Sequence, residues 1–296
     1  MPNDVDPLYR KKIEQIKIDG EDFASNAMKD VFVEHKAALD QLHRLISKMY
    51  IDHAKDGLLN LTSAQRNDLT ATVKATLKEM GISLAKSESS KVYRMLIEIF
   101  KTTYYQSAFV LESGMKTNIK LNLLKNEFVA SAVNSKFKGE LFSKRIWENK
   151  ASMMDKLQSS IIQAMKGEIH LDKVARNMRD TFNATAYQSM RLVMTEAARV
   201  QTQATDDVGR STGVTQQMYS ATLDMKTNPV DASCDGNVYD INDSGKPKIP
   251  NHPNCRCCFV NVPYAGWSPT SRRDNSTGKN IGYATYKDWA ESKGIY

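Results

Sequence analysis

The sequence predicts a mainly α fold, with a helical N-terminal body followed by a small α+β C-terminal module that contains a Cys/His loop. Apolar residues recur at helical spacing along the chain as far as about residue 210. Beyond residue 213 the pattern alternates like a strand and then becomes rich in Asn, Asp, Gly and Pro. One histidine and three cysteines then fall between His252 and Cys258, within IPNHPNCRCCFVNVP.

Length and composition indicate a globular protein of one or two domains. The chain has 296 residues, 41% hydrophobic and 25% charged, which are ordinary values for folded proteins. We place the domain boundary between a helical N-terminal region, residues 1–135, and a C-terminal domain, residues 136–296. The 41 Lys and Arg against 34 Asp and Glu give a net charge of +7. This favours an anionic neighbour such as nucleic acid, and a solvated basic surface without a partner is an equally good interpretation.

The N-terminal region predicts a series of helices. One or two long helices are expected over residues 6–56, where apolar residues recur every three or four positions. The next helix should begin after an N-cap at Thr62 and stop at Gly81. A helix that is apolar on most sides is expected over residues 89–114, followed by a shorter segment over 121–135.

Three further helices are expected between residues 139 and 214. The first should run from about Lys144 to Lys166 and end at Gly167, and the second should start near Asp172. The third contains MTEAARVQTQATDDVGR. Beyond it, QQMYSATLDM and CRCCFVNVPY predict two short strands, and a final helix is expected around 286–291.

Four side chains of the C-terminal module could supply the tetrahedral ligands of a zinc ion: Cys234, His252, Cys255 and Cys257. The usual CxxC pair is absent, because Asp231 stands three positions before Cys234, although a carboxylate can also bind zinc. The N-terminus lacks the features of a secretion signal, so a reducing compartment is expected and structural disulfides are not. Free, partly buried thiols are the alternative interpretation.

Catalytic interpretations are weaker. His252 and Cys255 could act as base and nucleophile, but they lie in a proline-bounded turn without an oxyanion-hole signature. Glu196 could act as a base, but a buried or half-buried ion pair with Arg199 is favoured. The sequence contains no phosphate-binding loop of the GxxxxGK[ST] type, no HExxH and no GxSxG. We therefore predict that the protein is not an enzyme.

The order of these features resembles the MuF-like head morphogenesis family, the minor head proteins of tailed bacteriophages. The resemblance covers roughly residues 136–260. It depends on FSKRIWENKASMMDKLQSSIIQAMKGE, Thr195-Glu196, Asp224, Asp235-Gly236 and HPNCRC. The sequence departs from the family pattern in two places: Met194 replaces an arginine, and Asn228 and Asp231 stand where paired cysteines are expected.

The resemblance implies a minor capsid protein of low copy number, held inside the virion head near the portal and present in the host cytoplasm during assembly. It further implies that the portal and other head proteins are partners, that packaged double-stranded DNA is a possible partner, and that the protein could aid DNA ejection. No window reaches the roughly 18 apolar residues of a membrane span. The alternatives are a virion-delivered effector enzyme, either a nuclease or a transferase, and a zinc-dependent DNA-binding module.

Overall fold

The computed structural model describes residues 5–115, 119 and 121–295 and confirms the predicted mainly α fold with a small C-terminal α+β module. Among the helices of these residues, none combines the length and apolar character needed to cross a membrane. The helices are α1 (Tyr9–His53), α2 (Ser63–Met115), α3 (Asn126–Val133), α4 (Phe142–Met165), α5 (Leu171–Ser211), α6 (Pro229–Cys234) and α7 (Tyr286–Ser292).

The strands are short and lie mostly in the C-terminal third of the chain. Their pairing is antiparallel throughout. The predicted strand over QQMYSATLDM is confirmed in its first half, and CRCCFVNVPY contains a strand of four residues. The strands are β1 (Ala54–Lys55), β2 (Leu58–Leu59), β3 (Gln216–Ser220), β4 (Val238–Asp240), β5 (Cys258–Asn261), β6 (Ser271–Arg273) and β7 (Asn280–Gly282).

Two predicted helix boundaries are wrong. Gly81 does not stop a helix, because α2 continues through it to Met115. The helices predicted from Asp172 and over MTEAARVQTQATDDVGR are one helix, α5. At Gly81 the reason is packing: a Cβ built there would lie 2.8 Å from Met154 Cγ, so the glycine serves close helix contact rather than termination.

The chain forms two units, each built from separate segments. Unit 1 comprises residues 1–25, 95–135 and 193–296, and unit 2 comprises residues 26–94 and 136–192. The long helices α1, α2 and α5 each contribute residues to both. The boundary predicted at 135/136 falls where the chain leaves unit 1 for unit 2, and as a statement about sequence domains it stays a prediction.

Unit 2 is a helical unit with an apolar core. Segments of α1, α2, α4 and α5 supply side chains that recur at three- and four-residue intervals, as a helix face buried against other helices requires. Leu42, Leu157 and Ile161 are fully buried or nearly so. Tyr50 donates a hydrogen bond from its hydroxyl to the carbonyl of Ile169 at 3.0 Å, which satisfies the polar end of a buried aromatic ring.

Unit 1 contains the α+β module. Its three-stranded sheet has the order β4-β3-β5, so β3 is the central strand. Met218 of β3 pairs with Val238 on one side and with Val260 on the other. A second sheet is formed by β6 and β7. The predicted C-terminal helix is confirmed as α7, which buries Tyr286 and Trp289.

Candidate functional site

The short helix α6 places a buried carboxylate beside the Cys/His loop. Asn228 caps the helix by accepting a hydrogen bond from the backbone N–H of Val230 at 2.9 Å, and Pro229 occupies the first helical position. This local geometry directs Asp231 inward, where its side chain is only 2% exposed. The segment between β3 and β5, which the sequence predicts as a loop, therefore contains a short helix that positions Asp231.

Asp231 is the centre of the site because it accepts hydrogen bonds at both oxygens. Its Oδ1 accepts from the hydroxyl of Tyr219 at 2.8 Å and from the amide of Asn251 at 2.6 Å. Its Oδ2 lies 2.7 Å from His252 Nε2. Burial opposes ionisation, but the hydrogen bonds from His252 and Tyr219 lower the pKa of Asp231 below its ordinary value.

The imidazole of His252 is fixed at both nitrogens. Its Nδ1 lies 2.8 Å from the carbonyl oxygen of Pro253, to which it donates, and its Nε2 faces Asp231. Burial disfavours the imidazolium, but the contacts with Pro253 and Asp231 raise the pKa of His252. The arrangement also argues against a Cys–His catalytic pair, because both ring nitrogens are directed at oxygens and neither is directed at a thiol.

Two thiols complete the site. Cys255 and Cys257 are 1% and 2% exposed, and Cys255 Sγ lies 3.9 Å from Asp231 Oδ2. A hydrogen bond from Cys257 lowers the pKa of Cys255 to about 7, while the neighbouring Cys255 and burial raise the pKa of Cys257. The two thiols therefore titrate as a coupled pair, in which the first proton is released at a lower pH than the second.

The structure brings three ligand types together. Single ligand atoms of Asp231, His252 and Cys255 all lie within 4.8 Å of one another. This set suits zinc, which accepts carboxylate, imidazole and thiolate ligands. The contact from His252 Nδ1 to a carbonyl is the kind of outer hydrogen bond that orients a metal-bound imidazole, and Tyr219 and Asn251 orient the carboxylate in the same way.

Two predicted ligands, Cys257 and Cys234, are not in the group of three that the described residues form. Cys257 is hydrogen-bonded to Cys255 and Asp231. Cys234 comes from α6 instead. It is the last residue of α6 and packs, partly buried, on the apolar cluster that contains Tyr219 and Phe259. Its thiol lies beside the hydroxyl of Tyr239. Asp231 is the buried residue of α6, so the structure favours Asp231 over Cys234 as the ligand from this helix. The four-residue ligand set predicted from the sequence stays a prediction.

Other parts of the motif secure the loop. Arg256 forms a two-pronged ion pair with Asp224, in which its Nη2 lies 2.8 Å from Oδ1 and its Nη1 contacts Oδ2. The backbone N–H of Asn254 donates to the hydroxyl of Thr195 on α5 at 3.2 Å. Thr195 and Asp224 therefore hold the HPNCRC segment at Asn254 and at Arg256.

Asp235 is a second buried carboxylate, and it organises the module. It accepts hydrogen bonds from the backbone N–H of Ala221 at 2.8 Å and of Tyr286 at 2.6 Å, and its Oδ2 lies 2.7 Å from Arg272 Nη1. Both charged side chains are fully buried. Gly236 follows with a φ of +81°, a conformation that favours glycine.

The buried ion pair predicted for Glu196 and Arg199 is confirmed. Its Oε2 accepts a hydrogen bond from Arg199 Nε at 2.6 Å, and both side chains are buried or nearly so. Arg199 also donates to the carbonyls of Ala132 and Val133 at the end of α3. Arg199, held by this ion pair, therefore caps the C-terminal end of α3.

Sequence reasoning missed the groups that support the site. Tyr219 lies in the apolar strand β3 and contacts Asp231, and Arg272 lies in the polar strand β6 and contacts Asp235. Nothing in either sequence pattern marks the residue as the partner of a buried carboxylate. Asn251 offered a signal that could have been used, because it directly precedes the histidine of the motif. An amide there can reach the same carboxylate as His252.

Comparison with known proteins supports the family resemblance. The family model described as Phage Mu protein F like protein matches residues 155–260. Minor head protein GP7 of Bacillus phage SPP1 is 23% identical over 279 residues, which are 86% of this chain and 89% of that protein. The resemblance to MuF-like phage minor head proteins is thereby confirmed, and these matches support a phage head morphogenesis protein.

A second relative carries a different name. NAD(+)--arginine ADP-ribosyltransferase EFV of Enterococcus faecalis is 24% identical over 202 residues, which are 63% of this chain. The matched region is 41% of that protein, so more than half of the relative lies outside it. An uncharacterised protein of Haemophilus influenzae is 26% identical over 118 residues, which are 38% of this chain and 26% of that protein. No solved structure matches the chain.

Proposed function

We propose that this chain is a minor capsid protein that acts in head assembly of a tailed phage, is held inside the head near the portal, and acts on the DNA when it leaves. The observation that carries the proposal is the alignment with a minor head protein over 86% of this chain and 89% of the relative. Most of both chains is matched, so the likeness is not confined to the Cys/His loop. The interlocked module of unit 1 supports an architectural role.

The proposal is tested on purified phage particles and on their assembly intermediates. Quantitative mass spectrometry should find this chain in mature particles at far lower copy number than the major capsid protein. A tagged copy expressed during infection should co-purify with the portal protein, and an equally tagged unrelated cytoplasmic protein should not. Absence from both particles and portal complexes would overturn the proposal.

Assembly and DNA delivery are separated by deleting the gene. If the chain acts in assembly, the yield of DNA-filled particles falls. If it acts at ejection, the yield is normal but a smaller fraction of the particles is infectious. A deletion that leaves both the yield and the infectivity per particle unchanged would remove both roles.

We also propose that Asp231, His252, Cys255 and Cys257 hold a zinc ion that stabilises the loop. The zinc would supply a crosslink between α6 and the HPNCRC segment, which are otherwise joined by hydrogen bonds. Metal analysis of protein purified without added zinc should find about one zinc per chain. Cys255→Ser should abolish the bound zinc, and Cys258→Ser, outside the ligand set, should retain it. A metal-free wild-type protein with unchanged folding in chelator would refute the site.

The alternative of a delivered transferase is favoured by one observation, the match to a protein named as an arginine ADP-ribosyltransferase. Incubation of the purified chain with labelled NAD and an arginine-rich acceptor protein tests it. Under the structural proposal no label is transferred above the level of heat-denatured protein. Transfer that Glu196→Ala abolishes, with folding intact, would favour the enzyme instead.

A further inference from the structure

The part of α1 that belongs to unit 2 has one narrow exposed face. Asn26, Asp30, Ala37, Arg44 and Lys48 are all exposed and follow one another at intervals of four or seven residues. At 3.6 residues per turn and 1.5 Å per residue, these positions fall within an arc of about 40° and extend about 33 Å along the axis. They therefore form one straight face of the helix.

The order of side chains on this face is complementary to itself. Asp30 precedes Ala37 by seven residues and Arg44 follows it by seven, while Asn26 and Lys48 lie eleven residues to either side. If a second copy of the helix lay antiparallel with the two alanines in contact, each Asp30 would face Arg44 of the other copy. A two-fold interface repeats every such contact, so two opposite-charge pairs would form. A parallel arrangement would instead place like charges together.

The charged groups on this face are available to a partner. Within the described ranges, neither Asp30 nor Arg44 forms an ion pair, although Asp40 stands four residues before Arg44 on the same helix. The neighbouring carboxylate of Glu34 does find a cation, Lys91 of α2, at 2.8 Å. Unit 2 therefore neutralises one side of α1 internally and leaves the exposed face with one unpaired acid and one unpaired base.

The centre of the face has room for a second helix. Ala37 and Arg44 line a groove of about 610 Å³ between α1 and α2, and an alanine at the centre lets two helix backbones approach closely. Val33, which is 67% exposed, lies beside it and would be covered. An occupant must carry a cation opposite Asp30, an anion opposite Arg44 about 21 Å away, and a small residue midway. This face of α1 itself meets all three requirements.

We infer that two copies of this chain associate through the exposed face of α1 in unit 2, antiparallel and with Ala37 at the two-fold axis. The inference goes beyond the proposed function and does not depend on it, because it concerns the purified chain. Most of the face is polar, so the dimer is held by the two ion pairs and by limited apolar contact. Its dissociation constant should therefore rise with salt, which screens exposed charges.

Charge reversal tests the pairing in the full chain. Sedimentation of the wild type, at concentrations from micromolar to near millimolar, should show a monomer–dimer equilibrium. Asp30→Arg or Arg44→Asp alone places like charges opposite each other at two symmetry-related points and should weaken the dimer on the order of tenfold or more. The double variant D30R/R44D exchanges both charges and should restore the dimer. Circular dichroism checks that all three variants retain the helix content of the wild type.

Disulfide trapping tests the register. Ala37→Cys places one thiol at the two-fold axis and should form a dimer through its own copy under mild oxidation, because a disulfide requires closely spaced Cα atoms. The matched control is Lys36→Cys, which is equally exposed but lies about 100° around the helix and should stay monomeric. Equal trapping of both variants would overturn the inference, and so would a double charge reversal as weak as the single ones. A wild type that is monomeric at every concentration would assign the face to another protein and refute it.

Discussion

Unit 2 and the α+β module of unit 1 differ in the ratio of apolar core to buried ions. Unit 2 also buries ions, because Lys150 Nζ lies 2.6 Å from Glu88 and both side chains are 1% exposed. Unit 2 contains an apolar cluster of twenty buried residues supplied by four helices and the short β2 region. The α+β module of unit 1 has apolar clusters of six and four buried residues, with the buried ions of Asp231, Asp235 and Arg272 between its elements. The comparison teaches that the module, whose strands are three to five residues long, depends on buried hydrogen bonds for its unique structure.

The buried ions explain why the module tolerates such short elements. A strand of three residues buries little apolar area, so it gains little hydrophobic stabilisation. Asp235 instead links three segments by accepting from Ala221, Arg272 and Tyr286. Removing one member leaves the others desolvated and unpaired, which costs more than the absence of a single hydrogen bond.

The largest effect is therefore expected at Asp235. Asp235→Ala should lower the free energy of unfolding of the module by about 3–5 kcal/mol, because the guanidinium of Arg272 stays buried without its carboxylate. Hydrogen exchange measured by mass spectrometry should show reduced protection in β3 and α7. The matched control is Asp243→Ala, which removes an exposed carboxylate that only accepts from the backbone N–H of Gly245. Equal exchange in the two variants would contradict the proposed difference between the units.

The corresponding change in unit 2 removes apolar volume. Leu157 of α4 is fully buried in the cluster of twenty, and Leu157→Ala should lower the free energy of unfolding by about 2–5 kcal/mol through reduced apolar burial and a residual cavity. Ser159→Ala on the exposed face of the same helix is the control and should change it by less than about 0.5 kcal/mol. If Leu157→Ala exposed β3 to exchange as strongly as it exposed α4, the two units would not be separately stabilised.

The helices of unit 2 could be predicted from the sequence more fully than the candidate site of the module. The helices of unit 2 were predictable because their apolar spacing is set by burial against other helices, and Leu42 and Leu77 lie where the periodicity requires. The site was predictable in part: His252 and Cys255 come together, but the partner from α6 is Asp231. Spacing could not decide between Asp231 and Cys234, because the orientation of a six-residue helix depends on its tertiary contacts.

Gly81 shows where a local sequence signal fails inside unit 2. Gly81→Ala should raise helix propensity by about 1 kcal/mol but cost about 1–3 kcal/mol through overpacking against Met154. A net destabilisation of about 1 kcal/mol is expected in urea unfolding. In a Met154→Ala background the same substitution should become neutral or stabilising. A stabilising Gly81→Ala in the wild-type background would show that the close approach to Met154 is unimportant.

The smallest effects are expected at two helix caps of the same design, one in each unit. In unit 2, Thr62 and Gln65 exchange side-chain to backbone hydrogen bonds at the start of α2, which has 53 residues. In unit 1, Thr285 and Asp288 do so at the start of α7, which has seven.

Thr62→Ala and Thr285→Ala should each cost about 1 kcal/mol, because each leaves one backbone N–H without its acceptor. The consequences should differ in extent. A helix of 53 residues frays only in its first turn, whereas a helix of seven residues consists largely of that turn and should lose exchange protection as far as Trp289. Threonine-to-serine variants retain the hydroxyl and should behave as wild type. Fraying confined to the first turn in both helices would mean that packing of Tyr286 and Trp289 alone holds α7, and that the module depends less on polar interactions than its buried carboxylates indicate.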